Sequence, residues 1–317
     1  MISRVTDQTQ IRSAQSSLQT NLSRLTQLQE RASNLTKLGR PSDDPALTAD
    51  SLAVHAQQAA VAQYSRNVDN GTGWLTTVDG ALASTTDIMN KVRDLTVQGG
   101  NGSLSATAKS ALAAQLQGLK QDLLTQANTQ YLGRSVFAGN SDKAAAFTTT
   151  AAIPATGTTP AIPATVTYTG TPGSTVERRI AADSTVRVDS DGASIYGTGT
   201  DSVFNLIDNI SFALDPTTGT PGASATATAT DYLASVDARK TTVLTAQADA
   251  GVREAQIKGA GENLVKQAGT LEAQRSGLED ADLGQAVLDL KLQEVSYQAA
   301  LSVTAKVLQH TLMDFLR

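Results

Sequence analysis

A repeat of apolar side chains every seven residues is the feature that most constrains how this chain folds. A second series of small and apolar residues follows it three positions further on. This 3.5-residue period is typical of a long helix that packs along other helices. An unbroken helix from Pro45 to Val97 would be about 80 Å long. The first series is Val54, Val61, Val68, Leu75, Leu82 and Met89.

Three glycines, Gly71, Gly73 and Gly80, interrupt this repeat. Each costs about 1 kcal/mol relative to alanine in a helix interior. Two interpretations follow. Either the helix bends near residues 70–73, or the missing side chains let a neighbouring helix come close.

Apolar residues recur with the same spacing at both ends of the chain. The C-terminal stretch also has apolar residues on its other faces, among them Leu312, and a helix that is apolar on most sides must be surrounded. One partner helix covers only one side, so we predict that further copies of the chain, or relatives of it, cover the rest. The predicted assembly interface comprises Ile11, Leu18, Leu25, Leu28, Leu35, Leu283, Val287, Leu290, Tyr297, Leu301, Leu308, Leu312 and Phe315.

A helix-to-helix junction is predicted within "LGRPSDDPA", residues 38–46. Gly39 suits the position just after a helix. Asp44 followed by Pro45, with Asp43 beside it, suits the start of the next one, since the carboxylate accepts from free N–H groups and proline fits the first turn. Two adjacent carboxylates also suit acid–base catalysis, but capping explains them without it.

The middle of the chain is predicted to contain an inserted domain. A third helix is expected from about Ser105 to Asn128, followed by a hairpin or turn in "YLGRSVFAGN". Strands are expected at 165–169, 176–180 and 185–189, with "DSDGAS" as a turn, and helices at 201–214 and from 231 to about 276. The predicted fold is mainly α with a small inserted β domain and long antiparallel helices, or a coiled coil, from both termini. The predicted ranges are 1–42 with 279–317 (terminal coiled coil), 43–140 with 201–278 (helical rod), and 141–200 (β domain).

Composition excludes several kinds of site. The chain has no cysteine and only two histidines, so we expect no catalytic, metal or cofactor site. A net charge of −5 argues against a surface that binds nucleic acid. The sequence contains no run of 18 apolar residues, so we expect no membrane insertion. No cleavable signal peptide is recognisable at the start. Aromatic residues make up 4%, so we expect a core of Leu, Val, Ile and Ala, with Trp74 as a packing residue.

Several motifs together resemble the bacterial flagellin family. They are "RPSDDPA" at 40–46, "RNVDNGTGWLTTVDGALASTTDIMNKVRDLTVQ" at 66–98, and "LEDADLGQAVLDLKLQE" through the closing "FLR". Within the family, "PSDDPA" and "ANTQYLGRSVFAGNSD" are similar to members that join hook and filament. Flagellins themselves more often read "AKDDAAG" at the first position and end in "NVLSLLR", but a filament flagellin remains the alternative.

The resemblance implies an extracellular structural role and no enzymatic activity. The chain would leave the cell through the flagellar type III pathway, with a cytoplasmic export chaperone covering its C-terminal helix. Its partners would be other copies of itself, the hook-side junction protein and flagellin. The terminal helices would line an inner tube, and the β domain would face outwards. A surface adhesin built on the β insertion is a more remote alternative.

Overall fold

The computed structural model describes residues 3–37, 39–42, 44–151, 164–216 and 227–315. Helices dominate these ranges, and the strands are short. The helices are α1 (Ser3–Asn34), α2 (Pro45–Gly99), α3 (Ala106–Ala127), α4 (Gly192–Tyr196), α5 (Val203–Leu214), α6 (Leu233–Glu279) and α7 (Leu283–Phe315). The strands are β1 (Gln130–Tyr131), β2 (Arg134–Ser135), β3 (Phe147–Thr150), β4 (Thr165–Tyr168), β5 (Glu177–Ala181) and β6 (Ser184–Arg187).

The chain divides into two compact units. The terminal unit contains residues 1–62 and 266–317, and the central unit contains residues 63–265. The predicted fold class is confirmed: long helices come from both termini, and all described strands lie in the central unit. No helix in the described ranges is both long and apolar enough to cross a lipid bilayer.

Helices α2 and α6 form the core of the central unit. They run antiparallel, because Asp79 accepts a hydrogen bond from Gln247 whereas Arg93, further along α2, pairs with Asp237, earlier in α6. The α2 repeat is buried, and α6 has a seven-residue repeat of its own that was not predicted. Its buried members are Val236, Val243, Ala250, Ile257, Leu264 and Leu271.

The contact of Gly71 supports the second interpretation of the glycines in α2. The helix continues through residues 70–73. A Cβ at Gly71 would overlap the side chain of Ile257 in α6. The absent side chain therefore allows the close approach of a neighbouring helix.

Helix α3 packs against α5 through a buried ion pair. The side chain of Ser105 caps α3 by accepting from the Ala108 N–H at 3.2 Å. Lys120 Nζ donates to Asp208 Oδ2 at 2.6 Å, and Gln117 donates to the other oxygen at 3.0 Å. Both charged side chains are 8% exposed, so each charge depends on its partner.

The strands form three antiparallel pairs: β1 with β2, β3 with β4, and β5 with β6. The last three strands lie within one or two residues of the predicted ones, but β3 was not predicted. It pairs Phe147 with Tyr168 and Thr150 with Thr165. The predicted turn "DSDGAS" instead contains the start of α4, where the Ala193 N–H donates to the Asp191 carboxylate.

Five aromatic side chains form one cluster in the central unit. Phe147 contacts three of them at ring distances of 5.1–5.5 Å. The Tyr196 hydroxyl also lies 2.9 Å from Thr85 Oγ1 of α2, which joins the cluster to the helical core. Most of the buried core is Leu, Val, Ile and Ala, as expected, and the aromatic cluster is an addition that was not predicted. The cluster contains Phe137, Phe147, Tyr168, Tyr196 and Phe204.

Candidate assembly surface

Helices α1 and α7 pair antiparallel within the terminal unit. Gln293 of α7 donates to the side chain of Asn21 in α1 at 3.2 Å, and Thr36 forms an antiparallel bridge with Asp280. The residue numbers in one helix therefore fall as those in the other rise. A polar pair in an otherwise apolar seam favours one alignment of the two helices over others.

The two helices meet along their heptad positions. Every half-buried side chain of this seam is separated from the next by three or four residues. However, no described side chain of α1 or α7 is fully buried. The pair therefore covers only part of its apolar surface. The seam residues are Ile11, Ala14, Leu18, Asn21, Leu25, Leu28 and Ala32 in α1, and Ala286, Leu290, Gln293, Tyr297, Ala300 and Thr304 in α7.

A second apolar face of α7 is exposed, and we call it the α7 stripe. At about 100° per residue, its members fall within roughly 80° of the helix circumference, on the side opposite Tyr297. Leu292 is 68% exposed and Val295 is 64% exposed. Single exposed leucines are common on proteins, but a continuous apolar face usually marks an interaction surface. The stripe consists of Leu288, Leu292, Val295, Ala299 and Val303.

The structure places the predicted interface residues in two groups. Ile11, Leu18, Leu25, Leu28, Leu290 and Tyr297 lie in the seam. Leu283, Val287, Leu301 and Leu35 are 42–56% exposed. The residues of the α7 stripe were not predicted to form one surface, although their spacing of three or four residues is visible in the sequence. The side chains of Leu308, Leu312 and Phe315 lie outside the described residues.

The predicted helix junction contains one described cap. Asp44 Oδ1 accepts from the Leu47 N–H at 2.9 Å, and Pro45 is the first residue of α2. Asp43 lies outside the described residues. The Asp44 carboxylate is therefore engaged with the start of the helix, as capping requires.

Glu279, at the end of α6, is the centre of a polar network in the terminal unit. Its carboxylate accepts from Ser51 at 2.5 Å, lies 2.6 Å from His55 Nε2, and receives Arg275 at 3.2 Å. The hydrogen bonds from Ser51, then His55 and Arg275, hold the pKa of Glu279 below its ordinary value of 4.5, against the opposing effect of burial. The network thus fixes the end of α6 to α2.

Backbone hydrogen bonds connect the residues after α1 to the α6–α7 connection. Lys37 N–H donates to the Glu279 carbonyl at 2.7 Å, and Ala281 N–H donates to the Leu35 carbonyl at 2.8 Å. Lys37 Nζ also donates to the Gly277 carbonyl. Within the described part of the chain, no cluster of three or more His, Cys, Asp or Glu residues could hold a metal ion. The surface is therefore suited to packing and polar contacts.

Comparisons with known families agree with this geometry. Residues 5–142 match the bacterial flagellin N-terminal helical region, and residues 233–316 match the bacterial flagellin C-terminal helical region. Together the two matches cover more than two thirds of the chain. This chain belongs to the bacterial flagellin family.

Curated relatives of this flagellin-family chain include two kinds of flagellar protein. Flagellar hook-associated protein 3 of Salmonella typhimurium is 31% identical over 121 residues, which is 38% of this chain and 38% of the relative. Flagellin E of Vibrio cholerae is also 31% identical over 121 residues, which is 38% of this chain and 32% of the relative. The aligned part thus spans well under half the length of these relatives.

A solved structure shows that the fold is shared. A structure described as a flagellar hook-associated protein from Vibrio parahaemolyticus superimposes with a TM-score of 0.61 at 21% identity. The match covers 75% of the present flagellin-family chain and 100% of the other chain. At that identity the likeness establishes a common fold.

Proposed function

We propose that this chain is a structural subunit of the bacterial flagellum that forms the junction between hook and filament. In this proposal α1 and α7 assemble with the same helices of neighbouring copies, and flagellin polymerises on the resulting layer. The observation that carries it is the α7 stripe. A helix pair with an exposed apolar face and no fully buried described side chain gains stability when other helices cover that face.

The assignment to the junction depends on the sequence motifs. "PSDDPA" and "ANTQYLGRSVFAGNSD" resemble junction members more than flagellins, and the closing "HTLMDFLR" departs from the usual flagellin ending. The Salmonella relative supports the same assignment, since it is named flagellar hook-associated protein 3. The second candidate function is that of a filament flagellin, which the equal identity to Flagellin E favours.

The proposal includes the route to the cell surface. We propose export through the flagellar type III pathway. Before export, the apolar residues of α7 would promote aggregation, so a cytoplasmic chaperone covers them. At the surface the partners are other copies of the chain, the hook-side junction protein and flagellin.

Deletion of the gene tests the junction role. The expected result is hooks that lack filaments while flagellin accumulates in the medium, because flagellin has no surface on which to polymerise. Hooks that carry normal filaments after the deletion contradict the junction assignment. If the chain is instead a filament flagellin, antibodies against it label the filament along its whole length in the parent strain.

A pair of variants tests the stripe. Leu292→Asp places a charge in the α7 stripe, and Gln298→Asp places the same charge on an exposed position outside it. We expect Leu292→Asp to be secreted but to fail to restore filaments in the deletion strain, whereas Gln298→Asp restores them. Full restoration by Leu292→Asp would show that the stripe is not an assembly contact.

A further inference from the structure

Two arginines lie against the only tryptophan of the chain. The guanidinium carbons of Arg134 and Arg178 are 5.8 and 5.7 Å from the centre of the Trp74 ring, within the distance of a cation–π contact. The Tyr131 ring meets Trp74 edge-on, with 5.8 Å between ring centres. Trp74 is 2% exposed, whereas both arginines are half-buried. We call these four residues the Trp74 cluster.

The β1–β2 hairpin and strand β5 bring these side chains together. Tyr131 and Arg134 are directly opposite each other across the hairpin, so their side chains lie on the same face. Arg178 donates to the side-chain oxygen of Asn70 at 2.8 Å and to the Glu177 carbonyl at 3.1 Å. Both are neutral acceptors, so Arg178 is held in place without compensation of its charge.

No carboxylate neutralises the two arginines. Among the described residues, neither Arg134 nor Arg178 forms an ion pair with Asp or Glu. The segments 152–163 and 217–226, which lie outside the described residues of the central unit, contain no Asp or Glu. Burial lowers the pKa of Arg178, and the charge of Arg134 lowers it further, so the two like charges oppose each other.

The cluster also contains donors that lack acceptors. Trp74 Nε1 and Arg134 Nε are both enclosed and have no hydrogen-bond partner among the described residues. Each of these groups can only donate. A bound water could accept from an N–H group, but it would leave both positive charges uncompensated. A group with negatively charged acceptor atoms would satisfy these donors and compensate both charges.

We infer that the Trp74 cluster is an oxyanion-binding site, in which one carboxylate, sulfate or phosphate group engages the guanidinium groups of Arg134 and Arg178. Arginine suits this ligand class because its planar N–H groups match two oxygens of such an anion. The oxyanion has two conceivable sources that share this chemistry. It is either a free anion or the carboxylate of an Asp or Glu on another copy of the chain.

Tryptophan emission tests the site directly, since Trp74 is the only tryptophan. The purified full-length chain is titrated with sodium sulfate, and sodium chloride at matched ionic strength is the reference. If the source is a free anion, emission changes saturably with sulfate only. In the variants Arg178→Gln and Arg134→Gln, the apparent dissociation constant for sulfate rises at least tenfold. Arg179→Gln is the matched control, because it removes one positive charge from an exposed neighbouring position outside the cluster.

A second titration, in protein concentration without sulfate, tests the other source. If another copy supplies the carboxylate, emission changes with protein concentration in the parent chain and in Arg179→Gln, but not in Arg178→Gln. Arg134→Lys, which keeps the charge but loses the planar donors, provides a milder variant if Arg134→Gln alters the circular dichroism spectrum. The inference is overturned if emission responds in neither titration, or if Arg179→Gln weakens the response as much as Arg178→Gln.

Discussion

Gly71 of helix α2 lies directly against Ile257 of helix α6, and a methyl group at position 71 would overlap the Ile257 side chain. Val188 Cγ1 would also lie only 3.2 Å from the added carbon. Helix α6 and the residue that follows β6 therefore converge on a position that has no side chain.

Gly71→Ala is expected to lower the free energy of unfolding by about 1–2 kcal/mol, since the steric cost of overpacking exceeds the gain of about 1 kcal/mol in helix propensity. Urea unfolding followed by Trp74 emission measures the change. Gly80→Ala is the control, because an added carbon at position 80 meets nothing within 4 Å. We expect it to raise the free energy of unfolding by about 1 kcal/mol. Equal effects of the two substitutions would refute the close helix contact.

Leu132→Asn should stabilise the central unit by about 1 kcal/mol, because asparagine adopts the left-handed backbone conformation more readily than leucine. Leu132 is 78% exposed and has a φ of 48°, in a two-residue hairpin turn completed by Gly133. That conformation costs roughly 1–2 kcal/mol for most L residues. The measurement is again urea unfolding, with Leu132→Ala as the control that keeps the unfavourable conformation. A stabilisation by Leu132→Ala equal to that by Leu132→Asn would argue against this explanation.

Lys120→Met is expected to destabilise the chain by about 3–5 kcal/mol, because the buried Asp208 carboxylate would lose its cation and keep only Gln117 beside it. The double variant Lys120→Met, Asp208→Leu removes both charges and is expected to recover most of that loss. Thermal and urea unfolding of the parent, the single variant and the double variant give the comparison. Additive losses in the double variant would show that the ion pair is not responsible.

Ser51→Ala is expected to raise the pKa of Glu279, since the Ser51 hydroxyl contributes most to lowering it. The folded-state pKa is depressed, so the stabilisation is present above the ordinary value of 4.5 and is lost as the pH falls through the folded-state value. Nuclear magnetic resonance titration of the Glu279 carboxyl checks this, with His55→Gln as a variant of smaller expected effect. An ordinary pKa for Glu279 in the parent chain would contradict the proposed network.

The sequence predicted the long helices well because their signals are local and repeated. The expected helix from Pro45 to Val97 ends two residues later, at Gly99, and the expected α3 limits, Ser105 and Asn128, are its two caps. A seven-residue period needs no knowledge of distant residues, and a cap is recognised from one or two side chains.

Features that depend on distant partners were missed. Strand β3 is a Phe followed by three Thr, and it becomes a strand because it pairs with β4 across the segment 151–164. The aromatic cluster collects residues from positions 137 to 204, which no short window contains. For the candidate surface, the period of α7 was visible in the sequence. However, only the pairing with α1 separates the half-buried Tyr297 from the exposed Leu292.

A strict seven-residue repeat has an inherent ambiguity, because two such helices can pair almost as well when one slides by a whole repeat. The α2–α6 core contains one contact that does not recur, because Gly71 receives Ile257. After a slide of seven residues, Ile257 would face Tyr64 or Val78 in place of Gly71, and either side chain would collide with it. This contact thus selects one sliding position of α6 along α2 from several that are otherwise nearly equivalent.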